Sequence, residues 1–305
     1  MTGKTVPFVS VIVPALNGER TIRDCLVSLL RMDYPPDRRE LVFVDNGSTD
    51  RTAEIIKSYP VAYVWEGRRG LSSALNTGIG AASADILAFT HQDCVVSTGW
   101  LRELVKGFDH EHVGVVAGEV VAYPPKTPAE RYTALRKPLW QVAALKKPRS
   151  PWFVETSAAF RREVFEQVGL FDPRFGGPGS EIIDFSWRFF QCQHFTLNYR
   201  PKAVVFHRHR ASARELFEQR KGYGRCQAIL CRRYPERVSW DWGRELRAFK
   251  DLFLTALVFG RAAIRSGLKD RDSRECSYLY LELVRKSAER IGFICGTLRR
   301  DSRSG

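Results

Sequence analysis

Val9-Ser10-Val11-Ile12-Val13-Pro14-Ala15-Leu16-Asn17-Gly18-Glu19 decides how the rest of the chain reads. A short apolar run, strand-like over 8–14, breaks off into the polar turn Asn17-Gly18-Glu19 and then into an amphipathic stretch over 18–32. The same rhythm repeats. Strands are expected at 40–45, 61–65 and 85–90, and helices at 50–58, 70–82 and 98–109. Alternation of this kind marks a parallel sheet wrapped by helices. Each strand ends in turn or polar residues: Asn17-Gly18-Glu19, Asp45-Asn46-Gly47-Ser48, Glu66-Gly67-Arg68 and His91-Gln92-Asp93. Ligands of open parallel sheets bind beyond the carboxyl ends of the strands, so these four loops are candidates for one shared site.

The rhythm changes after residue 110. Val113–Tyr123 reads as one or two strands, and Thr127–Lys147 as a helix broken by Pro148, Pro151 and Trp152. A strand over Phe153–Phe160, a short helix over Arg161–Val168 and the glycine-rich Phe175–Ser180 follow. Next come a helix bearing Glu181, Asp184 and Trp187 and a strand over Ala203–Phe206 that ends at His207. Beyond Ser212 the pattern is helical. The expected organisation is one α/β region over 1–211, with its change of rhythm dividing 1–95 from 96–211, and a basic helical extension over 212–305.

A hydrophobic fraction of 44% with 27% charged residues fits a folded chain. The 48 Lys and Arg against 34 Asp and Glu leave +14, which favours phosphorylated small molecules, acidic lipid or nucleic acid as partners. The excess thickens after residue 200, from Arg208 to Arg233 and again from Arg285 to Arg303. The odd number of cysteines, seven, with no C-x-x-C pair supports neither a zinc module nor a disulfide scaffold. No secretion signal precedes the first strand, so reduced thiols and a cytoplasmic location are expected. The apolar stretch Leu252–Phe259 is far short of the ~20 residues of a bilayer crossing. It suits either the membrane surface or a packed helix. A Rossmann dehydrogenase is excluded because Pro14-Ala15-Leu16-Asn17-Gly18-Glu19 lacks G-x-G-x-x-G. No P-loop and no recognised nucleic-acid module occurs, so nucleic acid is not an expected partner.

Several ordered segments resemble glycosyltransferase family 2 over roughly residues 8–235. They are the opening stretch, Val42-Phe43-Val44-Asp45-Asn46-Gly47-Ser48-Thr49-Asp50, Arg68-Arg69-Gly70-Leu71-Ser72-Ser73-Ala74-Leu75-Asn76-Thr77-Gly78, Phe89-Thr90-His91-Gln92-Asp93-Cys94, Glu155–Phe165, Val168–Phe175 and Gly179–Arg188. The resemblance implies a GT-A fold: a Rossmann-like open mixed sheet flanked by helices, here with a C-terminal helical extension. It also implies an inverting transfer of sugar from a nucleoside-diphosphate sugar, a UDP-sugar first, to a hydroxyl of a glycan or lipid-linked acceptor in cell-surface polysaccharide or glycoconjugate biosynthesis.

Carried over residue by residue, the resemblance gives Asp45 an imide N–H of the base, with Pro14, Ala15, Asn17 and Glu19 around base and ribose. Asp45 and Asp50 also suit helix caps, the reading preferred for Asp50. Arg68 and Arg69, ahead of a helix N-terminus that carries Asn76, make an anion site for the diphosphate or a solvated pair. Leu75 stands where many relatives carry a basic residue. His91-Gln92-Asp93 occupies the place of the Asp-X-Asp metal motif. Asp93 is then the ligand of a divalent cation, Mn²⁺ or Mg²⁺, with His207 completing the shell, while His91 and Gln92 lie toward ribose and donor sugar. His209 could face the same side. Glu181 is the expected base, Asp184 the alternative or an acceptor binder. Ile182 replaces the acid usual at the second position. His91 and Ile182 leave a catalytically impaired nucleotide-sugar-binding protein as the competing reading, and a basic nucleic-acid-binding protein as a further one. The basic helices would hold the enzyme at an anionic inner membrane face.

Overall fold

A computed structural model describes residues 6–147, 150–175, 179–238, 240–268 and 273–298. Pro148, the Gly176-Gly177-Pro178 core of the glycine-rich segment and the tail from Arg299 to Arg303 lie outside the described residues. The eight strands are β1 (Val9–Ala15), β2 (Arg39–Asp45), β3 (Ala62–Trp65), β4 (Ile86–Phe89), β5 (Cys94–Val96), β6 (Val113–Ala122), β7 (Ala158–Arg161) and β8 (Thr196–His207). Between and after them run α1 (Ile22–Leu30), α2 (Thr52–Lys57), α3 (Leu71–Ala81), α4 (Trp100–Val105), α5 (Pro128–Arg136), α6 (Gln141–Leu145), α7 (Arg162–Val168), α8 (Ser180–Cys192), α9 (Ala213–Arg233), α10 (Trp242–Leu268) and α11 (Ser273–Leu298).

Two compact units divide the chain. The first comprises Met1–Tyr123, Leu139–Gly176 and Glu181–Arg208; the second comprises Pro124–Pro138, Gly177–Ser180 and His209–Gly305. This differs from a single cut at residue 211, because α5 groups with the later helices.

The first unit is built on one sheet of order β3-β2-β1-β4-β7-β6-β8-β5. β1 through β4 pair in parallel, as the alternating pattern predicts. β7 runs antiparallel to both β4 and β6, and β5 antiparallel to β8, while β6 and β8 are parallel. The sheet is therefore mixed. Alternate β1 residues serve two cores. Val9, Val11 and Val13 pack with α1 and α4, and Ile12 packs with Leu75, Phe89, Phe160 and Phe185 on the other face. Both faces being covered is why the strand is apolar at every position but Ser10 rather than alternating.

Order 3-2-1-4 makes the chain leave β1 in one direction and return to its other side, a switch point at which the β1 and β4 loops part to form a crevice. Beneath it, Phe89, Phe160, Phe171 and Phe185 pack edge-to-face or tilted at centroid distances of 4.8–6.2 Å. Each such pair adds about 0.5–1.5 kcal/mol beyond the area it buries. This cluster ties the end of β4 to the first turns of α8.

Three expected elements differ. The helix over Thr127–Lys147 is two, α5 and α6, because Pro138 disfavours helical backbone at the residue before it; Lys137 sits in the left-handed region at φ 45°. Residues Glu155–Ser157 form a 3₁₀ turn, so β7 begins only at Ala158. β8 starts at Thr196 rather than Ala203, and its register against β6 shifts between Gly118 and Glu119, where Pro201 and Lys202 have no partner across the ladder.

In the second unit α5, α9 and α11 pack around Ala129, Tyr132, Leu216 and Leu281. Glycines allow α9 and α11 to approach closely. A Cβ at Gly292 would lie 2.0 Å from the Lys221 carbonyl oxygen, and one at Gly224 would lie 2.1 Å from that of Glu289. Both obstacles are backbone, so Gly292→Ala should force the helices apart. A loss of about 1–3 kcal/mol, seen as a lower thermal midpoint, is expected despite alanine's better helix propensity. An unchanged midpoint would refute the close-contact account.

Candidate active site

The nucleotide side is assembled by interlocking loops. Asp45 ends β2 directly beside Ala15 of β1 and is 2% exposed. Its Oδ1 accepts from the Ser48 N–H at 2.9 Å and its Oδ2 from the Tyr63 hydroxyl at 3.0 Å. A carboxylate has about four lone-pair sites, so this fixes its orientation and leaves capacity for further donors. Asn17, at φ 49°, takes the Thr49 N–H on its Oδ1, and its own N–H donates to Ser48 Oγ. The Glu19 carboxylate accepts from the Arg51 N–H at 3.3 Å. Asn17 and Glu19 thus brace the β1 and β2 loops against each other, with Pro14 and Ala15 buried at the foot. Asp50 accepts from the Thr52 N–H at the start of α2, but it stands one residue ahead of the N-cap, which is Arg51 and has no side-chain cap.

Arg68 lies largely in solvent and pairs with Glu66 at 3.3 Å. That guanidinium, with Thr77 and the Arg68 N–H, holds the Glu66 carboxyl down to about 2. Exposed Arg69 reaches across to the Gly47 carbonyl at 3.2 Å. Asn76 is placed differently from a phosphate ligand: its amide donates to Phe171 O at 2.8 Å and accepts from Phe171 N at 3.0 Å. Gln92 does the same across the crevice, accepting from the Leu16 N–H at 2.9 Å and donating to the Leu16 carbonyl at 2.8 Å. A Cβ on Gly18 would lie 2.1 Å from the Gln92 amide oxygen. Gln92 therefore clasps the β1 loop, and glycine leaves room for the clasp.

Past Gln92 the chain enters β5, which pairs Cys94 directly with His207 on β8. This pairing, too short to signal itself in the sequence, brings Asp93 and His207 together. Asp93 Oδ1 and His207 Nε2 are 3.5 Å apart, both side chains nearly buried, and the Asp93 carbonyl accepts from the Arg208 N–H. Asp93, Cys94 and His207 offer ligand atoms within 4.8 Å of one another. Burial first, then the charge of Asp93, raises the Cys94 thiol well above its usual range. The Asp93 carboxylate oxygen and the His207 imidazole nitrogen suit Mn²⁺, or Mg²⁺ with oxygen ligands from a diphosphate.

On the other side of Asp93, His91 Nε2 lies 3.2 Å from Oε1 of Glu155, an acid 3% exposed. Burial opposes a charge on His91, but the hydrogen bond to Glu155 and the charges of Glu155, Asp93 and Glu181 outweigh it and raise its pKa above 6.5. Protonated His91 then contributes stability that is full below its ordinary 6.5 and is lost as pH rises through the raised value. Glu155→Gln should lower the His91 midpoint, followed by histidine ring resonances of the metal-free protein; an unmoved midpoint would remove the pair. Glu155 escaped the sequence reading as a site residue. Its only signal is an acid directly after the apolar Trp152-Phe153-Val154.

Glu181 and Asp184 are fully buried on α8. Asp184 is engaged by Arg188, whose Nε and Nη2 lie 2.9 and 2.8 Å from its Oδ2. Arg188 also donates to the Val168 and Leu170 carbonyls, so this pair ties α8 to the segment after α7. Ile182 is buried in the phenylalanine core. Among the acids of this turn, Glu181 is the one that adds its charge to the His91 environment.

A mixed sheet with a crevice at its strand-order reversal, where Asp45, Asp93 and His207 gather, is the arrangement of the GT-A class of glycosyltransferases. The model of glycosyl transferase family 2 matches residues 10–169. The chain belongs to that family. It is 35% identical over 176 residues to glycosyltransferase AglE of Haloferax volcanii, covering 55% of this chain and 57% of that protein. The chain spans about half the length of the curated relatives it matches. The fold is shared with mannosyltransferase PcManGT of Pyrobaculum calidifontis, solved with GDP-Man and Mn²⁺, at a TM-score of 0.62 and 21% identity over 96% of this chain and 87% of that one. Glucosyl-3-phosphoglycerate synthase of Mycobacterium tuberculosis, solved with Mn²⁺, UDP and phosphoglyceric acid, is 26% identical at a TM-score of 0.53, covering 78% of this chain and 81% of that one.

Proposed function

We propose that this glycosyltransferase moves a sugar from a nucleoside-diphosphate sugar, a UDP-sugar first, to a hydroxyl of a glycan or lipid-linked acceptor, with inversion at the anomeric carbon. The pairing of Asp93 with His207, together with Glu181, whose charge acts on the neighbouring His91 as that of Asp93 does, carries the reading. Asp45 takes the imide N–H of the base, and the braced loops hold the ribose. Asp93 and His207 would hold a divalent cation, which would neutralise charge on the diphosphate. Glu181 accepts the acceptor's hydroxyl proton as the new C–O bond forms and the bond to the diphosphate breaks, its electron pair leaving with the nucleotide. Arg69 lies within reach of the same loop as Asp45 and is assigned to the diphosphate with Arg68; Asn76 and Gln92 position backbone.

Among the described residues no helix is long and apolar enough to cross a membrane. A cytoplasmic enzyme held at the inner membrane face, working in cell-surface polysaccharide assembly, is the setting we assign. The test is thermal stabilisation by a panel of UDP- and GDP-sugars, each with Mn²⁺, Mg²⁺ or chelator. Stabilisation by UDP-sugars that needs the cation is expected. Equal binding in chelator would overturn the metal-bridged donor site, and proton NMR showing retained anomeric configuration in the product would overturn inversion.

A further inference from the structure

Helix α10 presents outward the kind of surface that soluble helices normally bury. Trp242, Leu246, Phe253 and Ile264 are 78%, 72%, 63% and 67% exposed, and Phe249 and Leu257 about half. At 3.6 residues per turn these six positions fall within about a quarter of the helix circumference, one continuous stripe from the first turn to the last. The helix is fixed in its own unit by its opposite side. Glu245 accepts from Trp240 Nε1 and pairs with Arg290, Asp251 pairs with Lys286, and Phe259 meets Tyr280 of α11. Those two acids are the helix's only ones, and both are paired with cations of α11. Arg247, Lys250, Arg261 and Arg265 lie along one flank of the stripe, exposed. An apolar stripe flanked along one side by cations is the surface of a helix lying in a bilayer interface.

We infer that α10 docks in the plane of an anionic membrane, its stripe at the headgroup–acyl boundary and its basic flank on acidic headgroups. This deepens the proposed function by naming the surface that meets the lipid, and rests on it only for the acceptor's location. Charge decides between the possible occupants. Antiparallel two-fold pairing of two copies would lay this cationic flank along itself, whereas anionic lipid neutralises it.

Full-length protein is mixed with vesicles of phosphatidylglycerol and phosphatidylcholine, or of phosphatidylcholine alone, and sedimented without donor or cation. Binding to the anionic vesicles is expected, weakened by salt. Replacing Arg247, Lys250 and Arg261 together by Gln should weaken it about a hundred-fold, near five-fold per cation. Replacing Phe249, Phe253 and Leu257 by Ser should abolish it, while both variants keep the wild-type thermal midpoint and nucleotide-sugar stabilisation. Equal partition onto neutral vesicles, or indifference to the triple Gln substitution, overturns the proposal. So does concentration-dependent dimerisation in vesicle-free sedimentation velocity that the Ser variant removes. Since the assay needs no catalysis, its failure is separable from failure of the transferase reading.

Discussion

Asp93→Asn should reduce kcat/KM for sugar transfer by about 10²- to 10³-fold, the scale of losing one transition-state charge stabiliser. The substitution keeps the shape of the side chain, and the Arg208 N–H still finds the Asp93 backbone carbonyl. What it removes is the carboxylate that faces His207 at 3.5 Å. Cation-dependent thermal stabilisation by donor should vanish with it, since a ligand stabilises only in proportion to its occupancy of the folded state. Steady-state kinetics and melting curves with and without Mn²⁺ read both effects. Wild-type turnover and an intact Mn²⁺ shift in the variant would remove Asp93 from the metal site.

The second large effect separates two acids one helical turn apart. Glu181→Gln should lower kcat by about 10²- to 10⁴-fold, the range assigned to a positioned general base, with cation-dependent donor binding retained. Asp184→Asn should instead act on the fold. It leaves the Arg188 guanidinium beside a neutral, fully buried amide, and breaking such a pair costs about 3–5 kcal/mol. A lower thermal midpoint with largely preserved specific activity of the folded fraction is expected. If Asp184→Asn destroys turnover in a stable protein while Glu181→Gln does not, the roles are exchanged. If the wild-type protein binds donor yet releases no nucleoside diphosphate with any acceptor, it is a nucleotide-sugar-binding protein instead.

The parallel half of the fold was legible because β1, β2 and β4 are apolar on both faces and each stops at a polar turn. The antiparallel half was not, since pairing of β7 with β4 joins residues some seventy positions apart and leaves no local trace. β5 is three residues long, too short for any periodicity, yet it brings His207 to Asp93. The family resemblance singled out Asp45, Asp93 and Glu181 by their places in its motifs, and all three are buried. It could not announce that Asn76 and Gln92 spend their amides on backbone, because a hydrogen-bond partner is a fact of three dimensions. Pro138 did carry its warning: it divides α5 from α6, where the reading over Thr127–Lys147 ran through it.

The Gln92 amide, gripping Leu16 through both of its polar atoms, has an engineering consequence. The turn we assign to the ribose and the turn we assign to the cation's carboxylate are pinned as one piece. Exchanging the first turn to accept a different nucleotide would therefore drag the second along and disturb the ion. A workable graft must transplant residues 16–19 and 90–93 together.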